Sequence, residues 1–311
     1  MEKNKNDYNK LTESSPKSKC SDPNIIFLII SIVSWVLYLA LAWMSFFIPN
    51  TKGGYYKAFV FWLNIIYRTN DPIIFFTIYI NYVLFYMIVA IVIGFSTVGF
   101  FVYLHCYFIT KDVNVRNGMM GNVTKFHFIP LCFISFLFII GESLGQNLNY
   151  KNIHLYTTIL FNFIALISLI IIRYNTEFES AIYILTINRG AYSSLIALLV
   201  YNFFYTFWLY GNYIKQDTNS WDNGCIIAFS LLIGIINNCL SFWLKDIILA
   251  FVNILIYIGM ITNFFKLKKD DITLDFSGSY AGGIIDIVML VLSICLISFL
   301  VLKYKNLYLI K

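Results

Sequence analysis

Charge is what this sequence has least of. Of its 311 residues, 12% are Asp, Glu, Lys or Arg, about half the roughly 25% of an ordinary soluble domain. Proline is also scarce, at 5 residues, so long helices can run without interruption. The 6 cysteines form no C-x-x-C pair, and most lie in or beside apolar runs. There they read as small buried hydrophobes, not as a disulfide framework or a zinc site. The three histidines, His105, His127 and His154, are scattered with no H-x-x-x-H spacing, and no glycine loop is of the phosphate-cradling kind. Metal and cofactor chemistry therefore has no support in the sequence. The net charge of +6 is spread along the chain, which argues against nucleic acid as a partner.

Apolar sequence takes the place of charge. Hydrophobic residues make up 59% of the chain, with 30 Phe and 23 Tyr. They are gathered into runs of about the length needed to cross a bilayer as a helix, roughly 20 residues. The runs are continuous, not alternating, so they read as helices and not as the strands of a barrel. The fold class is therefore all-α: a polytopic transmembrane helical bundle of about eight spans, in contact with the lipid bilayer. The spans are placed at Asn24–Phe47, Pro72–Phe108, Phe126–Gly145, His154–Ile172, Ala191–Tyr210, Cys225–Trp243, Ile247–Phe265 and Ile284–Leu302. The second run is too long for one simple crossing, and a break is expected at Gly94 or Gly99. One short interfacial helix is expected at Ala58–Tyr67, where aromatic and aliphatic residues lie between Lys57 and Arg68.

Residues 1–23 are polar and read as a disordered cytoplasmic tail. They do not resemble a signal peptide. A single transmembrane helical domain covers 24–303, and 304–311 form a short cytoplasmic tail. Placing both termini in the cytoplasm puts the larger share of Lys and Arg on the inner side. It also places the sequon Asn122-Val123-Thr124 inside, where it stays unmodified. A faint repeat matches spans three to five with spans six to eight, through Gly190-Ala191-Tyr192-Ser193 and Gly278-Ser279-Tyr280-Ala281. Tandem three-span units have opposite orientation, a transporter design.

Glu142 and Asp286 are the acidic residues that fall inside apolar runs. An ionisable group in hydrocarbon is costly, and its default reading is functional. Each is expected about one turn from the outer end of its span, so the two would form a cation or proton site at one depth. The plainer alternative has each wetted at the interface or paired with a lysine. Asn202, Asn237 and Asn253 fall inside spans and are candidates for a polar pathway, with interhelical hydrogen bonding as the plainer alternative. Gly141 and Gly145 have G-x-x-x-G spacing, which suits close helix packing. Gly141-Glu142-Ser143-Leu144-Gly145 also matches G-x-S-x-G, but the motif needs a strand–turn–helix that an apolar helix does not supply. Lys245-Asp246 reads as an ion pair in a tight turn, and Arg189 as a snorkelling or headgroup-binding residue.

Three functions compete on this reading. The first is a multi-pass transporter of a small solute or cation, proton-coupled. The second is a non-catalytic membrane scaffold or assembly protein, with membrane-protein partners or a second copy of itself. The third is an intramembrane lipid-modifying enzyme, for which no convergent set of His, Asp, Glu and Ser is found. The chain is more readily a non-enzyme than an enzyme.

Overall fold

The computed structural model describes residues 24–47, 82–109, 127–135, 151–175, 181–214, 219–269 and 276–304. Among them seven long α-helices follow one another: α1 (Asn24–Phe47), α2 (Tyr82–Phe108), α3 (Lys151–Asn175), α4 (Ser194–Ile214), α5 (Asn219–Trp243), α6 (Ile247–Lys269) and α7 (Phe276–Lys303). At 1.5 Å per residue each is longer than the roughly 30 Å of a hydrocarbon core. A shorter helix occupies residues 128–135, with Pro130 in its first turn, where a missing N–H costs nothing. Ala181–Tyr183 and a π-helix, Ile184–Ser193, lead directly into α4.

Among the described residues four stretches are long and apolar enough to cross a membrane: Ile25–Trp43, Met87–Phe108, Ile184–Tyr205 and Ala281–Lys303. Shorter apolar helices cover Ile159–Asn175, Ile227–Trp243 and Ile247–Thr262. Outward faces carry large apolar side chains such as Ile26, Val33, Phe101, Val291 and Leu302, as lipid contact requires. The protein is a multi-pass integral membrane protein.

Helix α4 lies at the centre. It packs against α3, α5 and α6, while the π-helix before it packs chiefly against α2. The α5, α6 and α7 helices pack closely on one another as a three-helix unit. Burial follows this plan: 83% of the Ile184–Tyr205 stretch is inside the protein, against 22% of Ala281–Lys303. Among the described residues the α7 helix is thus peripheral, packed on α5 and α6 with its outer face exposed.

Several expectations change. Helix α2 runs unbroken through Gly94 and Gly99. Gly99 serves contact instead: a Cβ there would lie 2.8 Å from the Ala191 Cβ and 3.1 Å from the Thr186 carbonyl oxygen of the π-helix. The residues before Ala191, expected as a linker, are wound as the π-helix. Gly190-Ala191-Tyr192-Ser193 therefore lies at its end, whereas Gly278-Ser279-Tyr280-Ala281 lies in α-helix. The last helix begins at Phe276, eight residues before Ile284. Residues 136–150, 48–81 and both termini lie outside the described residues. So do Glu142, Gly141, Gly145, the G-x-S-x-G match, the interfacial helix and most of the third span.

Candidate functional site

Asp286 is fully buried, and the early start of α7 places it ten residues into the helix. That is about 15 Å from the helix start. Ser230 of α5 and Tyr257 of α6 stand beside it. Ser230 lies eleven residues into α5 and Tyr257 ten into α6, so the three side chains meet near the middle of their helices. The Tyr257 hydroxyl donates to the Ser230 carbonyl oxygen at 2.5 Å. The Ser230 hydroxyl is near the carboxylate. Ser230 Oγ and both Asp286 carboxylate oxygens have no hydrogen-bond partner among the described residues.

Towards the α5–α6 turn the next layer is closed. A Cβ on Gly234 would sit 2.5 Å from the Tyr257 hydroxyl and 2.7 Å from Met289 Sδ. Glycine is needed there because the tyrosine and the methionine of the neighbouring helices fill the space. Beyond it, the amides of α5 and α6 meet the Ser293 hydroxyl of α7. Asn237 Nδ2 donates to Asn253 Oδ1 at 3.0 Å, and Asn253 Nδ2 donates to Ser293 Oγ at 3.0 Å. Ser293 Oγ is 2.8 Å from both Asn238 Oδ1 and the Met289 carbonyl oxygen. Asn237, Asn253 and Ser293 are fully buried. Asn237 and Asn253, expected together, are thus joined directly. Asn202, expected with them, is half-buried on α4. Asn238 and Ser293 complete the cluster; the signal for both was their helical spacing against a polar neighbour.

The α5–α6 turn holds the other buried aspartate. Asp246 Oδ1 accepts from the backbone N–H groups of Ile248 and Leu249, at 3.0 and 3.2 Å, and so caps α6. Its Oδ2 accepts from Arg173 Nη2 at 2.9 Å, from Arg173 Nε at 3.2 Å and from Ser193 Oγ at 2.6 Å. Arg173 also donates to the Leu244 carbonyl oxygen at 3.3 Å. The expected partner, Lys245, takes another course. It has a positive φ of 51° and holds its ammonium 5.0 Å from the Tyr304 ring centre. The cap fixes Asp246 with one oxygen facing inward, where the end of α3 delivers Arg173. Arg189, expected to snorkel, is instead buried within the π-helix.

His127, which read as a residue at a span end, is enclosed in aromatic rings. Trp35 meets it edge-on at 4.6 Å, with Tyr192 at 5.2 Å and Tyr103 at 5.3 Å between ring centres. Such spacings are those of packed aromatic pairs, so the rings touch one another and leave no ligand space between them. Among the described residues no group of three or more His, Cys, Asp or Glu side chains could hold a metal ion.

The chemical contrast is between the two buried aspartates. Asp246 has a cation, a hydroxyl and two backbone donors. Asp286 has an apolar surround and one hydroxyl turned towards it. An uncompensated carboxylate in such a place costs several kcal/mol or more if ionised. It is the residue type and setting in which a proton or cation can be held and released within the membrane. No protein-family model, curated protein or solved structure matches the chain.

Proposed function

We propose that this protein carries a small solute or cation across its membrane, with the α5–α7 unit holding the coupling site. The observation that carries the reading is Asp286: a fully buried carboxylate, near the middle of a membrane helix, with neither oxygen hydrogen-bonded among the described residues. Buried ionisable groups inside membrane helices mark ion and proton routes. The buried amides Asn237 and Asn253 continue the polar seam along the same unit, and Asn202 on α4 is the third amide of the proposal. Glu142 is the second acid of the proposal.

The test is ion flux into liposomes containing the purified protein, with a pH dye or a Na⁺ dye trapped inside and a potassium diffusion potential as driving force. Asp286→Asn and Glu142→Gln are expected to lose flux, while Asp286→Glu keeps part of it. Flux unchanged in both neutral variants removes the proposal.

A membrane scaffold is the second reading. It draws on the closed hydrogen-bonding of Asn237, Asn253 and Ser293 and on the tight packing at Gly234, both of which suit a rigid bundle. A scaffold predicts no flux above empty liposomes for the wild-type protein.

A further inference from the structure

We propose that the species taken by Asp286 is a proton by itself and not a metal cation. This rests on the reading of Asp286 as the coupling site and names its ligand.

Among the described residues, the oxygens around Asp286 are too few for a metal ion. A cation stripped of water needs its hydration shell replaced: about six to eight oxygens for Ca²⁺, six for Mg²⁺, and rings of carbonyls for K⁺. Asp286 offers two oxygens and Ser230 a third. The Tyr257 hydroxyl, which donates its hydrogen to the Ser230 carbonyl, brings the count to four, still short of six. Nor is there room for waters to complete a shell on the Gly234 side, where Tyr257 and Met289 already crowd the glycine. A proton needs one oxygen and almost no volume.

Asp246 supplies an internal comparison. The other buried aspartate has an arginine at 2.9 Å, a serine hydroxyl and two backbone N–H groups on it. Asp286 is equally buried, yet among the described residues no cationic side chain pairs with it. The groups that face it are Ser230 from α5 and Tyr257 from α6. Neither supplies a positive charge. Neutralisation by a proton satisfies the site: hydronium gives up H⁺, one O–H bond forms on the carboxylate, and a water molecule is left. Release is the reverse step.

Access is from the side. The α7 surface flanking Asp286 carries exposed Ile284, Ile287 and Val288, so an apolar reagent dissolved in the bilayer arrives next to the acid. A lipid-soluble carbodiimide reacts with a protonated carboxyl group. The acid O–H adds across one C=N bond, the O-acylisourea rearranges to an N-acylurea, and the whole reagent is retained as added mass.

The experiment treats the full-length protein in liposomes with dicyclohexylcarbodiimide and maps the adduct by peptide mass spectrometry. The expected result is an adduct at Asp286 that is lost in Asp286→Asn and kept in Asp286→Glu. It should be undiminished by excess Na⁺, K⁺, Li⁺ or Ca²⁺, and should fall as pH rises. Retained monodispersity and thermal stability of Asp286→Asn guard against misfolding. Protection by any of the metal ions overturns the assignment to a proton while leaving transport standing. An adduct that no metal ion affects, in a protein without flux, supports the proton site and removes transport. Absence of any Asp286 adduct in the folded protein, with labelling restored on denaturation, overturns the proposal.

Discussion

At the scale of single residues, the two buried aspartates show how much a side chain's role depends on what its helix places opposite it. Asp246 is bound on all sides. Removing one partner of a buried ion pair leaves the other charge unmet and costs about 3–5 kcal/mol. Arg173→Met is therefore expected to lower the unfolding temperature in detergent strongly. Asp246→Asn is the cleaner probe. It keeps a capping oxygen for Ile248 and Leu249 but loses the charge, so its loss reports the ion pair together with the Ser193 hydrogen bond on the same oxygen. The double variant Arg173→Met with Asp246→Asn should recover part of the stability, and simple additivity of the two losses would mean that the contact contributes nothing. Sequence made Asp286 conspicuous, because an acid in an apolar run is visible without knowing its neighbours. It did not reveal Arg173–Asp246. The partners are 73 residues apart, each lies next to a turn, and a basic residue at the end of an apolar run looks like an ordinary topology marker.

At the scale of elements, the central contact is between α2 and the π-helix. π-helices occur mostly as single-turn bulges, often at functional sites. Here ten residues are wound in this way, and those from Ile187 to Ser193 are all buried. Its far end is tied down by the Ser193 hydroxyl on Asp246. Its flank rests on Gly99 at a distance that leaves no space for a methyl group. Gly99→Val should wedge the two elements apart and cost about 1–3 kcal/mol, the usual penalty for overpacking. Gly94→Ala, with nothing within 4 Å of its Cβ, should be neutral or slightly stabilising, since alanine is the better helix former. Equal thermal stability of the Gly99 and Gly94 variants would contradict this account of the contact. None of this winding could be foreseen. Asn188-Arg189-Gly190 is polar and contains a glycine, so hydropathy marks it as a connection. The start of the helix that bears Asp286 was placed late for a related reason. Phe276-Ser277-Gly278-Ser279-Tyr280 is only weakly apolar, so a criterion based on hydropathy starts the helix late, whereas backbone hydrogen bonding starts it at Phe276.

At the scale of the whole molecule, the all-helical membrane architecture was plain from composition and run length alone, because the bilayer permits few alternatives. The ends of the first span, Asn24 and Phe47, coincide with those of α1, where prolines at 23 and 49 punctuate the sequence. The protein is expected to stay in the membrane pellet after washing at alkaline pH; release into the supernatant would contradict a multi-pass insertion. In the proposed orientation, with both termini cytoplasmic, the Asn122 sequon remains unglycosylated when the chain is made with microsomes, while a sequon engineered next to Lys215 is modified. The opposite pattern would invert the bundle.

The peripheral position of α7 carries a consequence of its own. One side of the helix that bears Asp286 packs on α5 and α6, and its outer side, with Ile284, Ile287, Val288, Val291 and Leu292, is exposed. A helix held mainly by lipid on its outer side adjusts its tilt to bilayer thickness at a cost of fractions of a kcal/mol per ångström. The buried central helix, locked on several sides, has no such latitude. Thin and thick membranes should thus set the acid at different angles to Ser230 and Tyr257, making the surrounding fat a tuning element for the chemistry of a single side chain.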